Sequence, residues 1–98
     1  MEKLKLVFLV YEEGIQPDVM ELLGKLGIEH YTAWEGAQGS GRTGPKHGDP
    51  IWPGLNNMLM MVLPEEQVGP LTKAALKLRD SFPVTPGMRF MVTDVTFI

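Results

Sequence analysis

The sequence contains no cysteine, which excludes disulfide staples, thiolate nucleophiles and cysteine-based zinc or iron–sulfur centres. Secreted domains of this size often depend on such staples, so a reducing, cytoplasmic setting is expected. No apolar stretch approaches the roughly 18 residues that a membrane-spanning helix needs. The run from Leu4 to Tyr11 is followed by Glu12 and Glu13 rather than by the small residues of a cleavage site, so a soluble, unprocessed chain is expected. Positive charge is also scarce. Nine Lys plus Arg stand against twelve Asp plus Glu, a net charge of −3, and no basic run supplies the electrostatic footprint of a nucleic-acid binder. What remains is ordinary globular material, 98 residues with 44% hydrophobic and 21% charged, enough for a single domain over residues 1–98.

Residues 3–11, KLKLVFLVY, are rich in β-formers and become apolar on both faces, the pattern of an interior strand. From Pro17 the period changes. Val19, Leu22, Leu23 and Leu26 form one helical stripe, Asp18 complements the amino-terminal dipole, and Gly27 is placed to stop the helix in a left-handed conformation. Residues 28–35, IEHYTAWE, alternate as a strand with one wet face. Residues 36–54 hold six of the eleven glycines and three of the eight prolines without any hydrophobic period, which predicts one long exposed loop of a kind that is usually functional or disordered.

Leu55–Leu63, LNNMLMMVL, reads as a second strand that is apolar on both faces and ended by Pro64. A helix follows, with Val68, Leu71, Ala75 and Leu78 as its stripe. Pro70 predicts either a late start or a kink there. Pro83, Pro86 and Gly87 form a turn before a last strand over Arg89–Ile98. The order β-α-β-loop-β-α-β predicts an α+β, ferredoxin-like βαββαβ sandwich, an antiparallel four-stranded sheet with both helices on one face. Two helices cover only one side of such a sheet. The Leu, Val, Phe and Met residues on the other side would leave a patch larger than monomers tolerate, so self-association is expected.

The chemistry-bearing residues leave several readings open. Gly39-Ser40-Gly41-Arg42-Thr43-Gly44-Pro45-Lys46 spaces its glycines as an anion-binding nest would. It fails as a Walker motif, because Pro45 separates Gly44 from Lys46 and no Ser or Thr follows that lysine. His47 with Asp49, or His30 with Glu35, offers imidazole and carboxylate to a divalent metal, but two ligands are too few unless subunits pool them. Met58, Met60, Met61, Met88 and Met91 suit core filling better than copper ligation. Ser40 and Ser81 lack a catalytic neighbour in sequence, and Glu12 and Glu13 read as solvated carboxylates, so no catalytic residue is assigned. Trp34 and Trp52 either stack on a planar ligand or partner, or pin the loop to the body.

Taken in order, these segments resemble the PII-like signalling proteins. Leu26-Gly27-Ile28 with Thr32 is similar to that family's helix-to-strand junction, Gly39-Ser40-Gly41-Arg42 to its G-x-G-R entry into the T-loop, and Val62-Leu63-Pro64-Glu65-Glu66 to its V-V-P-D-D step. Gly87 and Arg89 fall near its phosphate-binding B-loop. The resemblance implies a non-enzymatic regulator, a homotrimer with a T-loop over about residues 36–54 and an adenine nucleotide in its intersubunit clefts. Thr32 and the backbone near Val62 would meet the nucleotide. Gly39, Gly41, Arg42, Thr43, Lys46, Gly87 and Arg89 would line the remainder of the ligand site, with glycines and guanidinium groups holding phosphates.

Thr43 stands where the family's nitrogen sensors carry a glutamine, and no tyrosine lies between Gly36 and Gly54 for uridylylation. The sequence ends at Ile98, before that family's basic C-terminal loop, so AMP or ADP is expected ahead of ATP. Tyr31–Trp34 and Gly44–Asn56 resemble divergent PII-like proteins associated with heavy-metal efflux transporters. That resemblance implies a membrane transporter as partner, recruitment to the inner face of the membrane, and contact through Pro45, His47 and Trp52. Two alternatives stay open: a CutA-like trimer that binds a divalent metal, with His47 and Asp49 as candidate ligands, and a small dimeric α/β-barrel-type enzyme.

Overall fold

The computed structural model describes residues 3–37, 39–41, 44–46 and 55–98, with side chains over 3–36 and 55–98. Strand β1 (Leu4–Glu12) leads through a 3-10 turn (Glu13–Ile15) into helix α1 (Gln16–Lys25). Strand β2 (Thr32–Ala37) and strand β5 (Asn56–Pro64) flank a two-stranded ribbon of β3 (Gly39–Gly41) and β4 (Gly44–Lys46). Helix α2 (Glu65–Asp80) and strand β6 (Met88–Asp94) complete the order. The main sheet runs β2-β5-β1-β6, antiparallel at every described pairing. This is the expected ferredoxin-like sandwich.

Alternation along the two central strands separates the faces. Val7, Leu9 and Tyr11 of β1 and Leu59, Met61 and Leu63 of β5 are buried. They cluster with Val19 and Leu23 of α1 and Leu71 of α2. The intervening Leu4, Leu6, Phe8, Val10, Met58, Met60 and Val62 are only half-buried, since the helices pack on the opposite face. Apolar residues on both faces therefore create a second, uncovered surface, as their sequence pattern predicts.

Helix α1 ends as Gly27 directs. Gly27 has φ +71°, its N–H donates to the Gly24 carbonyl at 3.1 Å, and the Ile28 N–H donates to the Leu23 carbonyl at 2.9 Å. This is a Schellman closure, with Ile28 and Leu23 both in the core. It explains a correction to the expected strand over 28–35. Ile28 is committed to the helix cap, so the strand starts only at Thr32 and continues to Ala37.

Three further expectations change. The stretch 36–54 is not wholly without secondary structure, because β3 and β4 pair with Gly39 opposite Lys46, Ser40 opposite Pro45 and Gly41 opposite Gly44. Backbone pairing needs no hydrophobic period, and a two-stranded ribbon has outer edges that tolerate a proline. Helix α2 starts directly at Glu65 and runs through Pro70, so the late start does not occur. The Thr72 hydroxyl donates to the Val68 carbonyl at 2.8 Å within that turn. The last strand stops at Asp94, where β1 ends its pairing and no longer supplies a ladder.

Candidate functional site

Cross-strand partners in an antiparallel sheet share a face, so register places the expected ligand residues. Thr32 lies opposite Met60, Val62 opposite Leu6, and Arg89 opposite Val10. All three therefore belong to the face that the helices leave uncovered. Thr32 and Arg89 are exposed and Val62 is half-buried. Arg89 has no carboxylate partner among the described residues, which leaves its guanidinium available to an anion.

One protomer does not assemble these residues into a pocket. Arg89 is level with Met58, whereas Val62 is level with Thr93, four positions farther along β6 and two strands across. Strand spacing and rise put them on the order of 15 Å apart. Val62 and Arg89 thus lie well apart on the uncovered face.

Gly87 sits just before β6, beside the end of β1, where its carbonyl accepts the Glu12 N–H at 3.1 Å. A Cβ at Gly87 would approach Glu12 Oε1 to 3.2 Å. The turn thus lies against the end of β1, at the same end of the sheet as the end of β2 at Ala37. Gly39 and Gly41 fall in β3, and Pro45 and Lys46 in β4. Arg42, Thr43, His47, Asp49 and Trp52 lie outside the described residues.

A buried polar cluster at this end escaped the sequence reading. Asn57 is 4% exposed on the core face of β5. Its Oδ1 accepts the Gly36 N–H at 3.0 Å, and its Nδ2 donates to Gln16 Oε1 at 2.9 Å. The Tyr11 hydroxyl donates to that same Gln16 oxygen. Burial pushes the Tyr11 phenol above its ordinary range, partly offset by hydrogen bonding to Asn57, so it stays protonated at neutral pH. The available signal was an Asn at an inward position of an otherwise apolar strand.

At the opposite end of the sheet, Lys5 binds Asp94 and lies 3.7 Å from Glu65. An open groove of about 490 Å³ there is lined by residues including Lys3, Lys5, Asp94 and Phe97, none of them an expected ligand residue. No group of three metal-ligating His, Asp or Glu side chains occurs among the described residues. No described helix is long and apolar enough to cross a membrane.

The chain is thus a ferredoxin-like sandwich with a long insertion between its second and third main-sheet strands and polar groups at the rim of an uncovered face. The profile of the family described as nitrogen regulatory protein P-II matches residues 4–95, and the chain belongs to that family. No curated protein matches significantly. Among solved structures, CPII, a nitrogen regulatory PII-like protein from Thiomonas intermedia K12 bound to ADP, AMP and bicarbonate, superposes with a TM-score of 0.75 at 23% identity, covering 94% of this chain and 89% of that chain. A Thermus thermophilus protein classed as PII-like gives a TM-score of 0.64 at 22% identity, over 96% and 88% of the two chains. A functionally unknown protein from Pediococcus pentosaceus ATCC 25745 gives 0.68 at 15% identity, over 100% and 97%.

Proposed function

We propose that this protein is a PII-like sensor that binds an adenine nucleotide, ADP or AMP, in clefts between the subunits of a homotrimer. The observation that carries the reading is the uncovered apolar face with Thr32, Val62 and Arg89 on it. Burying that face between copies removes apolar area from water and brings one copy's residues toward another's. Arg89 then supplies paired donors to a phosphate, and Gly87 lets backbone approach closely. Gly39, Gly41, Arg42, Thr43 and Lys46 complete the site in this proposal. The crystallisation of CPII with ADP and AMP supports the choice of nucleotide.

The segment 36–54 is the output. Nucleotide binding controls a partner, a membrane transporter of heavy metals in this proposal, through Pro45, His47 and Trp52. Such control requires the ligand to bind one arrangement of that segment more tightly than another. No observation in the described residues favours the metal-binding trimer or the barrel-type enzyme.

Calorimetry of the purified protein against AMP, ADP, ATP, bicarbonate and divalent metals, paired with sedimentation analysis, tests the proposal. ADP or AMP binding by a trimer is expected. A monomer at micromolar concentration, or no heat from any nucleotide, removes the proposed cleft.

A further inference from the structure

Tyr11, Gln16 and Asn57 take no part in the proposed nucleotide cleft, yet they form a buried polar cluster where packing alone would favour apolar side chains. An amide on the core face of β5 costs stability unless its hydrogen bonds are made. Asn57 directs them to two distant elements, the end of β2 at Gly36 and the start of α1 at Gln16. Gly36 is the place where β2 departs from regular pairing. The register with β5 shifts between Trp34 and Ala37, and Gly36 takes φ +69°. A Cβ there would meet Leu55 at 3.4 Å. The shift costs Gly36 a regular ladder partner, and Asn57 Oδ1 takes its place. Across the same sheet end, Glu13 donates to the Leu55 carbonyl at 3.0 Å and Glu12 to the Gly87 carbonyl at 3.1 Å.

We propose that Asn57 is a positioning residue for the nucleotide cleft: by bridging Gly36 and Gln16 it fixes, against the body of the domain, the direction in which the chain leaves β2 at the sheet end that carries Gly87 and Arg89. The ligand half of this inference rests on the nucleotide reading above, while the hydrogen bond from Gly36 to Asn57 stands apart from it.

Amide hydrogen exchange by NMR on the full chain compares the wild type with Asn57→Leu and Tyr11→Phe. Tyr11→Phe removes a bond of the same cluster but leaves the Asn57–Gly36 contact intact. The Gly36 amide is expected to exchange about tenfold faster in Asn57→Leu and within about twofold of wild type in Tyr11→Phe. Unchanged Gly36 exchange in Asn57→Leu, or equal acceleration in both variants, overturns the role. If Asn57→Leu does not fold, Asn57→Asp keeps an acceptor toward Gly36 while losing the donor toward Gln16. Slow Gly36 exchange is then expected, and fast exchange overturns the proposal.

Calorimetry with ADP supplies the second arm. Affinity about tenfold weaker in Asn57→Leu, but within about twofold of wild type in Tyr11→Phe, supports the positioning role, whereas equal affinity in Asn57→Leu and wild type overturns it. A wild-type protein that binds no ADP removes the nucleotide reading and the cleft half of this one. Gly36 exchange still decides whether Asn57 holds the strand end.

Discussion

Gly27 and Arg89 show how one side chain, or its absence, is tied to a single physical demand. Open space surrounds Gly27, so an added Cβ would meet nothing within 4 Å; the demand is its φ of +71°. Gly27→Ala is therefore expected to cost about 1 to 2 kcal/mol through left-handed strain, readable as a lower urea midpoint with an unchanged m-value. A midpoint equal to wild type would show that helix α1 closes in some other way. Arg89 projects from β6 without a described carboxylate partner, so its removal should spare the fold. Arg89→Ala is expected to weaken ADP binding by about 1.5 to 3 kcal/mol, the contribution of a charged hydrogen bond. Calorimetry with undiminished affinity would move the phosphate elsewhere.

Strand pairing brings Lys5 of β1 beside Asp94 of β6, although 89 positions separate them. A hydrogen bond from the Lys5 ammonium, aided by its charge, holds the Asp94 carboxyl below the usual carboxylate range. A carboxyl lowered in the folded state stabilises that state above its unfolded value near pH 4, and the contribution disappears as pH falls through the folded value. Asp94→Asn should accordingly be less stable than wild type at pH 6 and indistinguishable from it near pH 2. The site is exposed, so the gap should be small and shrink in added salt. Denaturation curves across that range, with a gap that persists at pH 2, would assign the effect to packing instead. The same strands show what local patterns convey. Short runs of β-formers apolar on both faces identified β1 and β5, and the stripe of Val68, Leu71, Ala75 and Leu78 identified α2 despite Pro70. The ribbon β3–β4 carried no hydrophobic period and so left no readable signal.

The proposed association involves the uncovered face as a whole. Phe8 lies near its middle, paired with Met60 on one side and Met91 on the other. Because Phe8 points away from the helices, Phe8→Glu should leave the domain folded but place a charge where copies are proposed to meet. Sedimentation is expected to show a monomer with wild-type circular dichroism and no ADP binding. An intact oligomer carrying this change would exclude the face as the interface. The proposed cleft depends on the same step, since it is formed between copies. The two-faced apolar pattern raised the expectation of a second copy, whereas register was required to show which residues share the uncovered face.

By itself, the sequence determined the order of the four main-sheet strands and two helices, the left-handed stop at Gly27 and the presence of two-faced apolar strands. Those features follow from short-range periodicity and backbone preference, which neighbouring residues set. Tertiary structure alone decided that Asn57 turns inward to hold Gly36, that β2 begins at Thr32, and that Lys5 meets Asp94. A buried amide and a displaced strand end acquire their partners only when segments remote in the chain pack together, because unmet hydrogen bonds in a dry core cost more than the rearrangement that satisfies them.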